Sequence, residues 1–193
     1  YMNGRSPYAL LRAHADRRRI ETGGRVLFFD AGDDLEKGAL ADYTSSGEAT
    51  VHLLDYLGLD ARTIGNHDFA YGVPSVIRQA KSPTHPLLAS NLRYLPPPGD
   101  NQTFDARRYV VFEVGCARIG VFGLLINGYD ETDERVDAPY LGAFAQEHDA
   151  ESTDRFVSTA NALVRELRDE QKVDAVIAVN HLGTFRDRML IEQ

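Results

Sequence analysis

Ala61-Arg62-Thr63-Ile64-Gly65-Asn66-His67-Asp68-Phe69-Ala70-Tyr71-Gly72 places three side chains able to ligate a metal or move a proton directly behind a short apolar run. Gly65 lets the backbone turn sharply there, which suits a site built on a loop between a strand and a helix. Asn-His-Asp alone is also ordinary turn chemistry, so its reading depends on what the rest of the chain sets beside it.

Working outward, Ala61 to Ile64 is predicted as a short strand, followed by a helix that starts at Val73-Pro74 and ends before Pro83. Upstream, Val26-Leu27-Phe28-Phe29 is an apolar run expected to form a strand buried on both faces. It leads straight into Asp30-Ala31-Gly32-Asp33-Asp34. Residues 47–57 have helical spacing, with Val51, Leu54 and Leu57 on one face and His52 off it. Before them, a helix from Ser6-Pro7 to about Ile20 carries Leu10, Leu11, His14 and Ala15 near one face, His14 reading as a packed or rim residue.

Downstream, Leu87 to Ala89 is a third strand ending at Ser90-Asn91, and residues 95–105 are a loop. Residues 109–114 and 117–125 make a hairpin around Gly115-Cys116. Residues 127–149 are acidic and irregular, an expected surface excursion or lid. A helix follows over 152–171 with Phe156, Ala160, Leu163, Val164 and Leu167 inward, then a buried strand over 173–179 that delivers Asn180-His181-Leu182-Gly183 and a closing polar loop.

Strands alternating with helices indicate an α/β sandwich. Asp33, Asn66 with His67, Asn91 and His181 each follow a predicted strand. The carboxyl ends of strands in open α/β sheets share one rim, where ligands bind.

Composition narrows the function classes. At 193 residues and 43% hydrophobic, the chain is long enough for one domain with a sizeable core. A net charge of -8 and a pI near 5.2 argue against a nucleic-acid polymer as partner. The short run Arg17-Arg18-Arg19 reads as the solvated end of a helix. Cys116 is the single cysteine, which excludes an internal disulfide and a thiolate metal cage; its apolar surroundings suggest a buried filler. No run of about 18 apolar residues marks a transmembrane span. The chain starts at Tyr1 and stops at Gln193, so we expect a piece of a longer protein.

Asp, Asn and His on one rim suit borderline to hard divalent ions such as manganese, zinc or magnesium. A carboxylate like Asp33 can bridge two ions about 3.5–4 Å apart, close enough to clamp both the attacking and leaving oxygens of a displacement at phosphorus. The expected chemistry is hydrolysis by metal-activated hydroxide, with His67 giving a proton to the leaving alkoxide.

Gly32-Asp33, Gly65-Asn66-His67-Asp68 and Asn180-His181-Leu182-Gly183, in this order, resemble the calcineurin-like metallophosphoesterases and specifically their 5'-nucleotidase branch. Leu88 to Leu92 resembles that branch's Ser-Ala-Asn segment, and the likeness runs through nearly the whole chain. It implies a four-layer α/β/β/α sandwich with two divalent metal ions, drawn from manganese, zinc, magnesium, iron or calcium. Asp33 would be the bridging ligand, Asn66 and His181 ligands of the second ion, His67 the proton donor or transition-state stabiliser, and Asp68 at most an orienting group. Asn91 would be a substrate-rim candidate. The implied substrate is a small phosphorylated molecule, with a 5'-nucleotide as one candidate. The resemblance also implies an exported parent protein carrying a separate C-terminal substrate-binding domain.

The sequence departs from that pattern in two ways. The family's Asp-x-His and Gly-His-x-His pairs occur nowhere in the chain. Ala70 stands where many relatives have an Asp that partners the catalytic histidine, so His67 needs another partner. The competing readings are a non-catalytic scaffold that keeps the fold, a relative acting on cyclic nucleotides, nucleotide sugars or sulfur-linked groups, and a metal-free nucleotide-binding domain. The last lacks both a Gly-x-Gly-x-x-Gly turn and a Walker loop.

Overall fold

The computed structural model describes residues 7–36, 40–82, 84–126, 143–146 and 153–192. In chain order its elements are α1 (Pro7–Thr22), β1 (Phe29–Asp30), α2 (Leu40–Thr44), α3 (Glu48–Leu57), β2 (Ala61–Thr63), a 3-10 turn (His67–Phe69) and α4 (Gly72–Gln79). There follow β3 (Leu87–Leu88), β4 (Leu92–Tyr94), β5 (Tyr109–Val114), β6 (Ala117–Phe122), β7 (Phe144–Gln146), α5 (Thr153–Asp169), β8 (Ala175–Ala178) and α6 (Thr184–Ile191).

Side-chain alternation along β2 separates the layers. β1, β2 and β3 form a parallel sheet in that order, and β5, β6 and β8 a second sheet with β5–β6 antiparallel and β6–β8 parallel. Ala61 is buried with Leu88 of its own sheet and Val121 of the other, and Phe29, Val110, Phe112, Ile119 and Ile177 close in around them. Thr63, two residues on, bonds the Val179 carbonyl across the same interface. Arg62, between them, projects to the opposite face and reaches Gln79 on α4.

Helices cover both outer faces. On one side, Leu54 and Leu57 of α3 join Leu59 and Phe28, and Val76 of α4 and Ala80 just after it join Ile64 and Leu87. On the other, Phe156, Ala160, Leu163 and Leu167 of α5 join Phe122 and Val176. Those four fall at helical spacing, and burying each large apolar side chain contributes about 1.5–3 kcal/mol. The order is α/β/β/α.

Several expectations are corrected. Strands predicted at 26–29, 61–64, 87–89 and 173–179 are shorter, and β8 lies at the end of its sheet's order with Ala175 and Ala178 exposed. The expected polar loop after Gly183 is helix α6. Phe185 and Ile191 are both exposed, so no inward stripe announced it. Cys116 sits exposed in the hairpin turn after Gly115. Helix α1 buries only Ala15 and leaves Leu10, Leu11 and His14 exposed. It is held instead by Arg12 donating to the Tyr56 carbonyl at 2.7 Å and Arg19 to the Gly58 carbonyl at 2.7 Å. The arginine run is therefore solvated only in part: Arg17 and Arg18 pair with Glu21, while Arg19 also reaches Asp60.

The expected excursion over 127–149 lies outside the described residues except for 143–146. There β7 pairs antiparallel with β4, and Phe144 packs against Phe69, Tyr94 and Phe104.

Candidate metal centre

β1 and β2 are parallel neighbours, so the loops that follow them leave the same sheet edge. Two glycines let those loops interlock. Gly32 adopts φ 87, and a Cβ there would strike the backbone of Gly65; a Cβ on Gly65 would strike the backbone nitrogen and carboxylate of Asp33. Asp68 closes the crossing from below. Its carboxylate accepts the amides of Gly65 at 2.7 Å, Asp33 at 3.2 Å and Asp34 at 3.3 Å, which fastens one loop to the other.

A buried carboxylate needs a counter-charge, and Arg62 supplies it. Its Nη2 forms a 2.5 Å ion pair with Asp68 Oδ1 that falls short of hydrogen-bond alignment, while Nε donates to Asp34 at 2.8 Å and Nη1 to Gln79 at 3.0 Å. Burial pushes the Asp68 carboxyl up, with Arg62 and the loop amides pulling it back. Burial also pushes Asp34 up to about 6 against Arg62, and neighbouring Asp30 adds to the rise.

The loop after β8 arrives at the same edge. The His181 amide donates to the Leu124 carbonyl at 2.8 Å, and the His181 carbonyl accepts from Ile126 at 2.7 Å. Asn91 lies beneath this pairing, buried, with its amide donating to the Leu125 carbonyl at 2.8 Å and accepting the Leu125 amide at 2.9 Å. Asn91 thus braces the segment after β6 that bridges to His181, and both ends of its side chain are committed there.

Asp33, Asn66, His67 and His181 meet at this edge. His181 Nε2 lies 3.0 Å from Asn66 Oδ1 and 3.4 Å from Asp33 Oδ1. Asp33 Oδ1 also accepts the His67 amide at 2.9 Å, and His67 Nε2 is 4.0 Å from Asp33 Oδ2. The far ring nitrogen of His67, Nδ1, contacts the Glu36 carboxylate. Asp33 itself holds φ 69, a left-handed conformation uncommon for a residue with a side chain.

The donor set fits a divalent cation. His181 Nδ1–H donates to the Ala31 carbonyl at 3.0 Å, which turns Nε2 toward the amide and carboxylate oxygens. Three lone-pair atoms at such separations repel unless a proton or a metal ion sits among them. At metal–ligand lengths of about 2.0–2.2 Å, neighbouring ligand atoms stand about 3.0–3.5 Å apart, matching the two distances here.

The electrostatics agree in direction. Burial opposes ionisation of Asp33, but His181 and the His67 amide outweigh it and hold the carboxyl below the usual range; contact with Asp33 in turn raises His181 against its own burial. Among the described residues, no three or more His, Cys, Asp or Glu cluster closely enough to hold a metal, so the arrangement depends on the Asn66 amide as its third donor.

Two contributors escaped sequence reasoning. Arg62 carried a signal, because a charge between buried Ala61 and Thr63 must find buried partners. Glu36 carried none, since it meets His67 from 31 positions away.

No family-wide sequence profile matches the chain. Among individual proteins, it is 26% identical over 186 residues to Protein 5NUC of Lutzomyia longipalpis, covering 96% of this chain and 30% of that protein. It is 25% identical over 205 residues to the trifunctional nucleotide phosphoesterase protein YfkN of Bacillus subtilis, covering 91% of this chain and 13% of that protein. The chain therefore spans less than a third of the length of these curated relatives. In fold it matches a crystal structure of a 5'-nucleotidase precursor from Thermus thermophilus, with a TM-score of 0.71 at 23% identity over 93% of this chain and 32% of that one. By its ordered motifs, its fold and these likenesses, the chain is similar to the N-terminal catalytic part of the 5'-nucleotidase-like branch of the calcineurin-like metallophosphoesterases.

Proposed function

We propose that the chain is the core of a metal-dependent phosphoesterase that hydrolyses a small phosphate ester, with a 5'-nucleotide as the leading substrate. The observation that carries this reading is the approach of Asp33, Asn66 and His181 to one another beside His67 at the carboxyl edge of the first sheet. Kinship with a nucleotide phosphoesterase adds the substrate class.

In this reading Asp33, Asn66 and His181 would hold a divalent ion, and the carboxylate of Asp33 could serve a second one as well. When bound, the ions supply positive charge that polarises the phosphoryl group and brings the attacking water within reach of ionisation near neutral pH. His67 stands beside Asp33 and gives its proton to the departing alkoxide. Asp68 and Arg62 do not touch substrate; they keep the two ligand-bearing loops in register. Asn91 supports the His181 loop from beneath. No helix among the described residues is long and apolar enough to cross a membrane, and an extracytoplasmic site of action belongs to the same proposal.

The test is hydrolysis of p-nitrophenyl phosphate and of AMP by the intact protein that carries this sequence, with manganese, zinc or magnesium added after chelation. We expect turnover that disappears on chelation and returns with metal. Absence of turnover with every ion on both substrates would contradict the proposal.

A further inference from the structure

We propose that Glu36 is the positioning residue of His67, a role that rests on the phosphoesterase reading above. The Glu36 carboxylate contacts His67 Nδ1, joining two loops 31 positions apart in sequence. A carboxylate on Nδ1 fixes the plane of the ring and holds the Nδ1 proton, so the proton given to the leaving group is a second one, carried on Nε2. It leaves Nε2 as the ring atom on the Asp33 side, 4.0 Å from Asp33 Oδ2.

Both side chains of this pair are part exposed, at 31% for His67 and 39% for Glu36, and an ordinary surface pair of that kind does little. Three features set this one apart. Glu36 holds φ 80, a left-handed conformation that a residue with a side chain keeps only when its surroundings impose it. Leu35, the residue before it, is buried against Gly47. The Glu36 amide donates at 3.1 Å to Asp42, a buried carboxylate that also accepts Thr50 Oγ1 at 2.5 Å and Tyr71 OH at 2.7 Å. Tyr71 follows His67 by four residues, so one buried carboxylate fastens both ends of the contact.

Position 70 explains why the partner comes from so far away. The 3-10 turn His67–Phe69 is closed by the Ala70 amide donating to the His67 carbonyl at 3.0 Å, and side chains three apart in such a turn lie over one another. A carboxylate at position 70 could reach the imidazole directly. Ala70 is exposed and offers none, and Glu36 occupies the role from the neighbouring loop.

The experiment uses the intact metal-loaded protein, labelled with 15N in its histidines, the His67 signals being assigned by their loss in His67→Asn. For Glu36→Gln we expect kcat to fall about 10–100-fold. KM and metal affinity should stay within about twofold of wild type, and the His67 ring signals should move away from the Nδ1–H form. Adding Ala70→Asp to Glu36→Gln should return most of kcat and the original ring signals. Unchanged kcat and ring signals in Glu36→Gln would overturn the proposal. So would an equal loss of metal affinity and thermal midpoint, since that is what a merely structural contact gives. If the wild-type protein hydrolyses nothing, the phosphoesterase reading fails separately, and the ring signals alone decide whether Glu36 holds His67.

Discussion

Arg62 Nη2 stands 2.5 Å from Asp68 Oδ1, and both side chains are closed to solvent. The pair lies under the crossing of the two motif loops, so the ligand-bearing edge rests on a buried charge balance. Arg62→Met removes the cation that pairs with both Asp68 and Asp34, and leaves buried carboxylate charge uncompensated. We expect a loss of about 3–5 kcal/mol in urea unfolding. Arg62→Met combined with Asp68→Asn should recover part of it. A single-variant loss below about 1 kcal/mol would mean that the pair does not support the fold.

Gly65→Ala tests the interlocking of the loops. The added methyl would meet Asp33 at its backbone nitrogen and carboxylate, so Asp33 must shift. Overpacking of this kind costs about 1–3 kcal/mol. We expect manganese affinity to fall by about tenfold or more while far-ultraviolet circular dichroism keeps its shape. Full affinity in Gly65→Ala would show that the close approach is not needed to aim Asp33.

His85 gives the fold a pH dependence away from the candidate metal centre. It is buried, with Nδ1 3.1 Å from Thr84 Oγ1 and 3.4 Å from Asp55 Oδ1. Burial and the Arg62 charge lower its pKa, against the pull of Asp55. The unfolded chain then binds the proton more readily than the native one. This contribution is complete above about pH 6.5 and is lost as pH falls from there through the lowered native value. Urea unfolding between pH 5 and 7.5 should show a shallower decline toward acid in His85→Gln than in wild type. Parallel curves would remove His85 as the cause.

Much of this structure could be read in the amino-acid order, and the reasons differ from element to element. α5 was legible because Phe156, Ala160, Leu163 and Leu167 repeat at helical spacing against one sheet face. The Asp33, Asn66, His67 and His181 edge was legible because each follows a strand, and parallel strands bring their ends together. Helix α6 was not, since its apolar residues point to no common face. α1 misled because its leucines mimic a buried stripe while arginine bonds to the Tyr56 and Gly58 carbonyls hold it. Cys116 misled because the strand pattern on both sides hides the hairpin turn it occupies. The Glu36 contact had no local pattern to reveal it, being set by where two loops cross.

The central claim is that Asp33, Asn66 and His181 together hold a divalent cation while His67 stands beside it. Isothermal titration of manganese into the chelator-treated intact protein addresses this most directly. Asp33→Asn, Asn66→Ala and His181→Gln should each raise Kd by about tenfold or more, the smaller loss of a positioning contact being about the lower end of that range. His67→Asn should leave Kd within about threefold of wild type. Equal Kd values for all four variants, or a loss in His67→Asn matching that in Asp33→Asn, would contradict the account.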